Sequence, residues 1–146
     1  MKSVRRQITI HAPVERVWHA VHVDIPSVPR WSHSLLRTEV VGGGRLRPGS
    51  ELLYVVRLPA GQSVDVHLIV DEYKEFTRCS GTVDSTAMRG RWSWRYRTRD
   101  ERTTVVYETA VEIKGMLRFA GRLLEQEILG DVDRNLQALK EYVEGG

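Results

Sequence analysis

Between Arg89 and Arg99 the residues sort by parity: Arg89, Arg91, Arg95, Arg97 and Arg99 fall at odd positions, and Trp92, Trp94 and Tyr96 at even ones. Successive side chains of a β-strand point to opposite faces, so the pattern predicts a strand with one guanidinium face and one aromatic face. The two faces need different surroundings. Rings of this size are costly to leave in water and lie on a core or in a pocket, whereas arginines need solvent, acidic partners or a polyanion.

The next run, Thr103 to Ile113, is also rich in β-branched and aromatic residues. It carries Val105, Tyr107, Thr109, Val111 and Ile113 at odd positions and Glu108 and Glu112 at even ones. A short polar turn near Asp100 to Arg102 folds the two runs into an antiparallel hairpin. Directly opposed residues share a face, so an odd register sum sets the arginines among the glutamates and the tryptophans among Tyr107, Thr109 and Val111. The arginine stripe then reads as a solvated outer face, partly neutralised by Glu108 and Glu112, in preference to a nucleic-acid surface.

Elsewhere the chain alternates similarly. Val4 to Ile10 predicts a first strand, and Pro13 opens an amphipathic helix whose Val14, Val17, Trp18 and Val21 form one apolar stripe. The proline-punctuated segment Asp24 to Trp31 reads as a second short helix or turn. Strands are expected at Leu35 to Val41, Glu51 to Leu58, Val64 to Tyr73, Phe76 to Val83, Met88 to Thr98 and Thr103 to Lys114. A long helix from Met116 to Val143 follows, with apolar residues including Leu117, Leu124, Ile128, Val132, Leu136, Leu139 and Val143 spaced to rest one face on a sheet. With 146 residues, no linker and no internal repeat, one domain over 1–146 is the expectation.

The order strand, two short helices, six strands and long helix resembles the START/SRPBCC superfamily, the birch-pollen-allergen-like helix-grip fold, and within it the polyketide cyclase/dehydrase-like branch. The residues that carry the likeness are Ile8 through Trp18, Asp24 through Trp31, the turn Arg47-Pro-Gly-Ser-Glu51, Val70 through Tyr73, and the terminal helix. The resemblance spans nearly the whole chain. It implies an α+β architecture, a seven-stranded curved antiparallel sheet wrapped around the long C-terminal helix, with an elongated apolar cavity between them. These motifs specify a fold and not a catalytic centre.

On that architecture, parity turns Trp92, Trp94, Tyr96 and Tyr107 toward the helix, together with Leu52, Tyr54, Val56, Val64, Val66 and Leu68. The expected ligand-binding set is Tyr54, Val66, Leu68, Trp92, Trp94, Tyr96, Tyr107, Thr109, Leu124 and Ile128, with Tyr107 and Thr109 placed to orient a ligand oxygen. Other reactive types have bland readings. His19 and His22 lie three apart on the first helix and, with only His33 or Asp24 in reach, read as surface histidines and not as metal ligands. His67 and Asp65 share a polar strand face, Cys79 reads as a structural thiol, and Gly42 to Gly44 lacks the following Gly-Lys-Ser/Thr of a phosphate loop. Glu125, Glu127, Asp131 and Asp133 read as a solvated helix face with ion pairs, and Asp131, which borders the apolar stripe, bears on a cavity mouth only for a ligand with a basic or hydroxyl group.

Net charge is +3, from 22 basic and 19 acidic residues, a weak polyanion signal. The amino terminus shows no apolar signal core and no run of membrane-span length, and the lone Cys79 forms no internal disulfide, so a cytoplasmic location is expected. The expected function is carriage or sensing of an apolar, lipid-like or polycyclic small molecule in the internal cavity. No cofactor, metal, nucleic-acid partner or stable membrane insertion is expected, and association into a homodimer is left open. The alternative is a polyketide aromatase/cyclase or dehydratase, for which Tyr107, Asp131 and His67 are the proton-moving candidates.

Overall fold

The computed structural model describes residues 2–58, 61–86, 88–114 and 121–145, without the side chains of 2, 121–125 and 127–129. Strand β1 (Lys2–Ile10) leads into helix α1 (Val14–Trp18), which widens into a π-helical turn at His19–Val23 and is followed by a 3₁₀ turn at Ile25–Arg30. Then come β2 (Leu35–Val40), β3 (Glu51–Arg57), β4 (Ser63–Lys74), β5 (Arg78–Asp84), β6 (Met88–Arg99) and β7 (Arg102–Ile113). Helix α2 (Gly121–Gly145) closes the chain; the start expected at Met116 lies outside the described residues.

All seven strands form one antiparallel sheet in the order β1-β7-β6-β5-β4-β3-β2. The β6–β7 hairpin has the expected odd register: Trp92 opposes Thr109, Trp94 opposes Tyr107 and Arg89 opposes Glu112. The arginine face is cross-linked more widely than the hairpin alone predicts. Arg89 pairs with Glu112 at 2.8 Å, but Arg91 reaches Asp71 of β4 at 2.8 Å and Glu108 is taken by Arg5 of β1.

Asp71 gains that position from a bulge. The β4–β5 register shifts between Val70 and Glu72, so one extra residue enters β4 and the alternation of faces flips beyond it. Val66 and Val70 lie on the concave face before the shift; after it Tyr73 points inward, where its hydroxyl accepts the indole N–H of Trp18 at 3.1 Å. Opposite Val70 stands Gly81, where any Cβ would sit 1.8 Å from the Ile69 carbonyl oxygen and 2.8 Å from the Trp92 ring. Glycine there lets the large ring of Trp92 lie flat across its neighbour strand.

The core fills the space between the concave face and the helices. Trp18, Val17, Ile10, Ile25, Val105 and Leu139 are fully buried within it. Two buried threonines tie the short helices to the sheet: Thr103 donates to the Ala12 carbonyl at 2.8 Å and Thr38 to that of Ile25 at 2.5 Å. The end of α2 is fastened to β1 and α1 by polar contacts. Lys140 donates to the Thr9 carbonyl, Glu144 accepts the His11 amide, and Arg16 donates to the Val143 carbonyl. Among the described residues no helix is long and apolar enough to cross a membrane.

Candidate functional site

A pocket of about 210 Å³ lies between the concave sheet face, the π and 3₁₀ turns, and the middle of α2. Its walls are mainly apolar. Seven of the ten residues in the expected ligand-binding set line it, Tyr54, Val66, Leu68, Trp92, Trp94, Tyr107 and Thr109, and so do Leu52 and Val56 from the wider parity set. Tyr96 does not. It lies buried in the layer beneath, its ring edge-on to Trp18 at 5.1 Å, because the coil of the sheet turns that end of β6 under α1. Leu124 and Ile128 fall among the helix residues whose side chains lie outside the described set.

Aromatic rings give the pocket a shaped wall. Trp94 meets Tyr107 with ring centroids 4.5 Å apart, Trp31 edge-on at 6.5 Å, and His22 edge-on at 5.9 Å. Such edge contacts fix ring orientation, so the shape of this wall is set by the protein's own packing. The indole N–H of Trp92 is engaged by the Thr82 carbonyl and that of Trp31 by the Ala20 carbonyl.

The polar groups are few. Burial raises the Tyr107 hydroxyl pKa above its ordinary value, opposed by a hydrogen bond with Thr109. Burial raises that of Tyr54 further, with the nearby Tyr107 adding to the effect. Both phenols therefore keep a proton at neutral pH that is available for donation. Asp131 and Asn135 reach the pocket from α2, and Asp131 is paired with Arg134.

His22 overturns its expected place on the helix surface. It is buried to 4% exposure, lines the pocket, and its Nε2 lies 2.7 Å from the Tyr96 hydroxyl. Loss of hydration pushes its pKa down to about 3, so the ring is neutral at physiological pH. The signal for this was in the sequence: His22 stands four residues after Trp18 and one after Val21, on the apolar stripe itself. The π turn broadens the buried face so that Ala20, Val21 and His22 are all enclosed. Trp31 is a second lining residue that parity could not reach, since it follows the 3₁₀ turn.

The remaining candidates lie elsewhere. His19 and His33 are exposed, and among the described residues no three His, Cys, Asp or Glu side chains cluster to hold a metal. His67 pairs with Glu51 at 2.8 Å on the exposed sheet face, in place of the Asp65 partner read from alternation. Cys79 is fully buried, and desolvation raises its thiol pKa to about 12.

A long helix held against one curved antiparallel sheet, with two short helical turns closing one end, defines the helix-grip architecture of the START/SRPBCC superfamily. The chain belongs to the family described as polyketide cyclase/dehydrase and lipid transport, whose model matches residues 1–144. Solved structures share the fold at low identity. A START superfamily protein from Mycobacterium smegmatis is 18% identical, with a TM-score of 0.78 over 98% of this chain and 97% of that one. The Zhui aromatase/cyclase from a Streptomyces species is 16% identical, with a TM-score of 0.80 over 98% and 93%. A protein from Thermus thermophilus is 22% identical, with a TM-score of 0.79 over 99% and 98%. No curated protein matches the sequence.

Proposed function

We propose that this protein binds a compact apolar small molecule in the pocket between the sheet and α2, as a carrier or sensor. The observation that carries the reading is the aromatic wall of Trp92, Trp94 and Tyr107 around an apolar space, with few polar groups to fix orientation. An engineered cavity of about 150 Å³ holds one benzene ring, so 210 Å³ suits two fused rings better than a long acyl chain. Binding would draw on burial of ligand surface, about 25 cal/mol per Å² of apolar area removed from water. The ligand-contacting set is Tyr54, Val66, Leu68, Trp92, Trp94, Tyr107 and Thr109, joined by His22 and Trp31.

Naphthalene titration by calorimetry tests the reading. Trp94→Ala is expected to weaken naphthalene binding several-fold while unfolding stays cooperative. Unchanged affinity would remove Trp94 from the site.

One observation favours a second reading, turnover of a polyketide-like substrate by an aromatase/cyclase or dehydratase. His22 brings an imidazole to the pocket wall, its Nε2 held by Tyr96 from the layer beneath. That reading requires a bound poly-β-ketone to be consumed, and its unaltered recovery after incubation with the protein argues against it.

A further inference from the structure

The two nitrogens of the His22 ring have different surroundings. Nε2 is held by the Tyr96 hydroxyl at 2.7 Å. No side chain or backbone group among the described residues bonds Nδ1, yet Nδ1 is not sealed off, since none of their occluded side-chain nitrogen or oxygen atoms lacks a partner. His22 lines the pocket and Tyr96 does not. Of the two, the nitrogen available to the pocket is therefore Nδ1.

The position of the ring proton follows from Tyr96. Its hydroxyl is buried, and among the described residues its one hydrogen-bond partner is His22. If Nε2–H donated to the phenol oxygen, the phenol proton would be left in the core without an acceptor, a desolvation penalty comparable to a lost hydrogen bond. With the phenol O–H donating to the Nε2 lone pair, both groups are satisfied and the single proton of the neutral imidazole sits on Nδ1. Tyr96 is thus a positioning residue: it selects the tautomer, and through the tautomer decides what the pocket offers.

We infer that Nδ1–H of His22 is a fixed hydrogen-bond donor to a neutral oxygen acceptor, and that the ligand is a fused-ring compound bearing a carbonyl. This inference rests on the pocket reading above and narrows its ligand class. The edge contact between His22 and Trp94, with centroids 5.9 Å apart, puts the donor beside an aromatic wall, so a flat ligand can lie along Trp94 and turn its carbonyl edge to Nδ1. A neutral donor supplies no charge of its own to hold an anion.

The pair 1-indanone and indane tests this, since the two bicyclic molecules share a shape and differ by one carbonyl. In His22→Phe the ratio of the two dissociation constants is expected to shift about tenfold against 1-indanone, the loss of one buried hydrogen bond. Equal changes for both would overturn the donor assignment and leave the pocket reading standing. Failure of both compounds to bind the wild-type protein would overturn both, and binding of indane without 1-indanone would overturn the donor assignment alone. Ring ¹⁵N shifts of the wild-type protein give a second readout independent of any variant. A protonated Nδ1 whose shift moves with 1-indanone and not with indane is expected; a protonated Nε2 would contradict the assignment.

Discussion

His22 links stability to the site through its protonation. In the unfolded chain it titrates near 6.5, whereas burial lowers the folded value to about 3. Between these values the unfolded chain holds a proton that the folded chain does not. The contribution is therefore complete above about pH 6.5 and is lost as pH falls toward 3, at up to about 1.4 kcal/mol per pH unit. Denaturant unfolding at pH 7 and pH 4.5 measures it, with His22→Phe as the reference that lacks this titration. The wild-type protein is expected to lose more stability than the variant over that interval; equal losses would mean that His22 protonates freely in the fold. The buried position was legible in the spacing Trp18, Val21, His22, but residue type pulled the reading toward the surface, since histidine is polar and commonly exposed. Its partner Tyr96 was legible as an inward ring. That it serves the layer beneath the pocket depends on how the sheet coils under α1, which alternation along one strand does not encode.

Among the elements, the strands were the most readable because a two-residue repeat assigns every side chain to a face. Leu52, Tyr54, Val66 and Leu68 reached the pocket wall by that rule alone. The rule fails where the repeat slips. The β4 bulge adds one residue at Asp71, which moves Tyr73 into the core and supplies Arg91 with an acid two strands away. Gly81 beside that bulge is expected to tolerate no side chain: Gly81→Ala should cost more than about 2 kcal/mol in chemical denaturation, because its Cβ overlaps the Ile69 backbone and also crowds the Trp92 ring. A near-neutral result would mean that the sheet relaxes there without strain. In α2 the apolar spacing placed Val132, Leu136, Leu139 and Val143 against the sheet, and all four are buried. Leu139→Ala removes a fully buried side chain from that contact, and a loss of about 2–5 kcal/mol is expected in the same assay. The π turn at His19–Val23 left no comparable trace, since one additional residue per turn is set by packing and not by composition.

At the scale of the whole molecule the sheet separates two chemistries, a concave aromatic face and a convex charged one. The convex face is a lattice of exposed ion pairs, Arg5 with Glu108, Arg89 with Glu112, Arg91 with Asp71 and Arg78 with Glu72. Acids thus punctuate the arginine stripe, and the tryptophans that would stack bases lie on the opposite face, so charge and stacking do not act on one strand of nucleic acid. Single-stranded RNA is expected to show no retention at physiological salt. Micromolar binding that falls with salt at a log–log slope of about −0.7 per phosphate would contradict this. The concave face carries the central claim, that the pocket is a binding site and not a packing imperfection. Calorimetric titration of the wild-type protein with naphthalene, beside a Val66→Trp variant that fills the pocket from the middle of β4, tests it most directly. The account predicts saturable binding of one naphthalene per chain, with a negative heat-capacity change, abolished in a variant that still unfolds cooperatively. No saturable heat, or equal affinity in the filled variant, would contradict it.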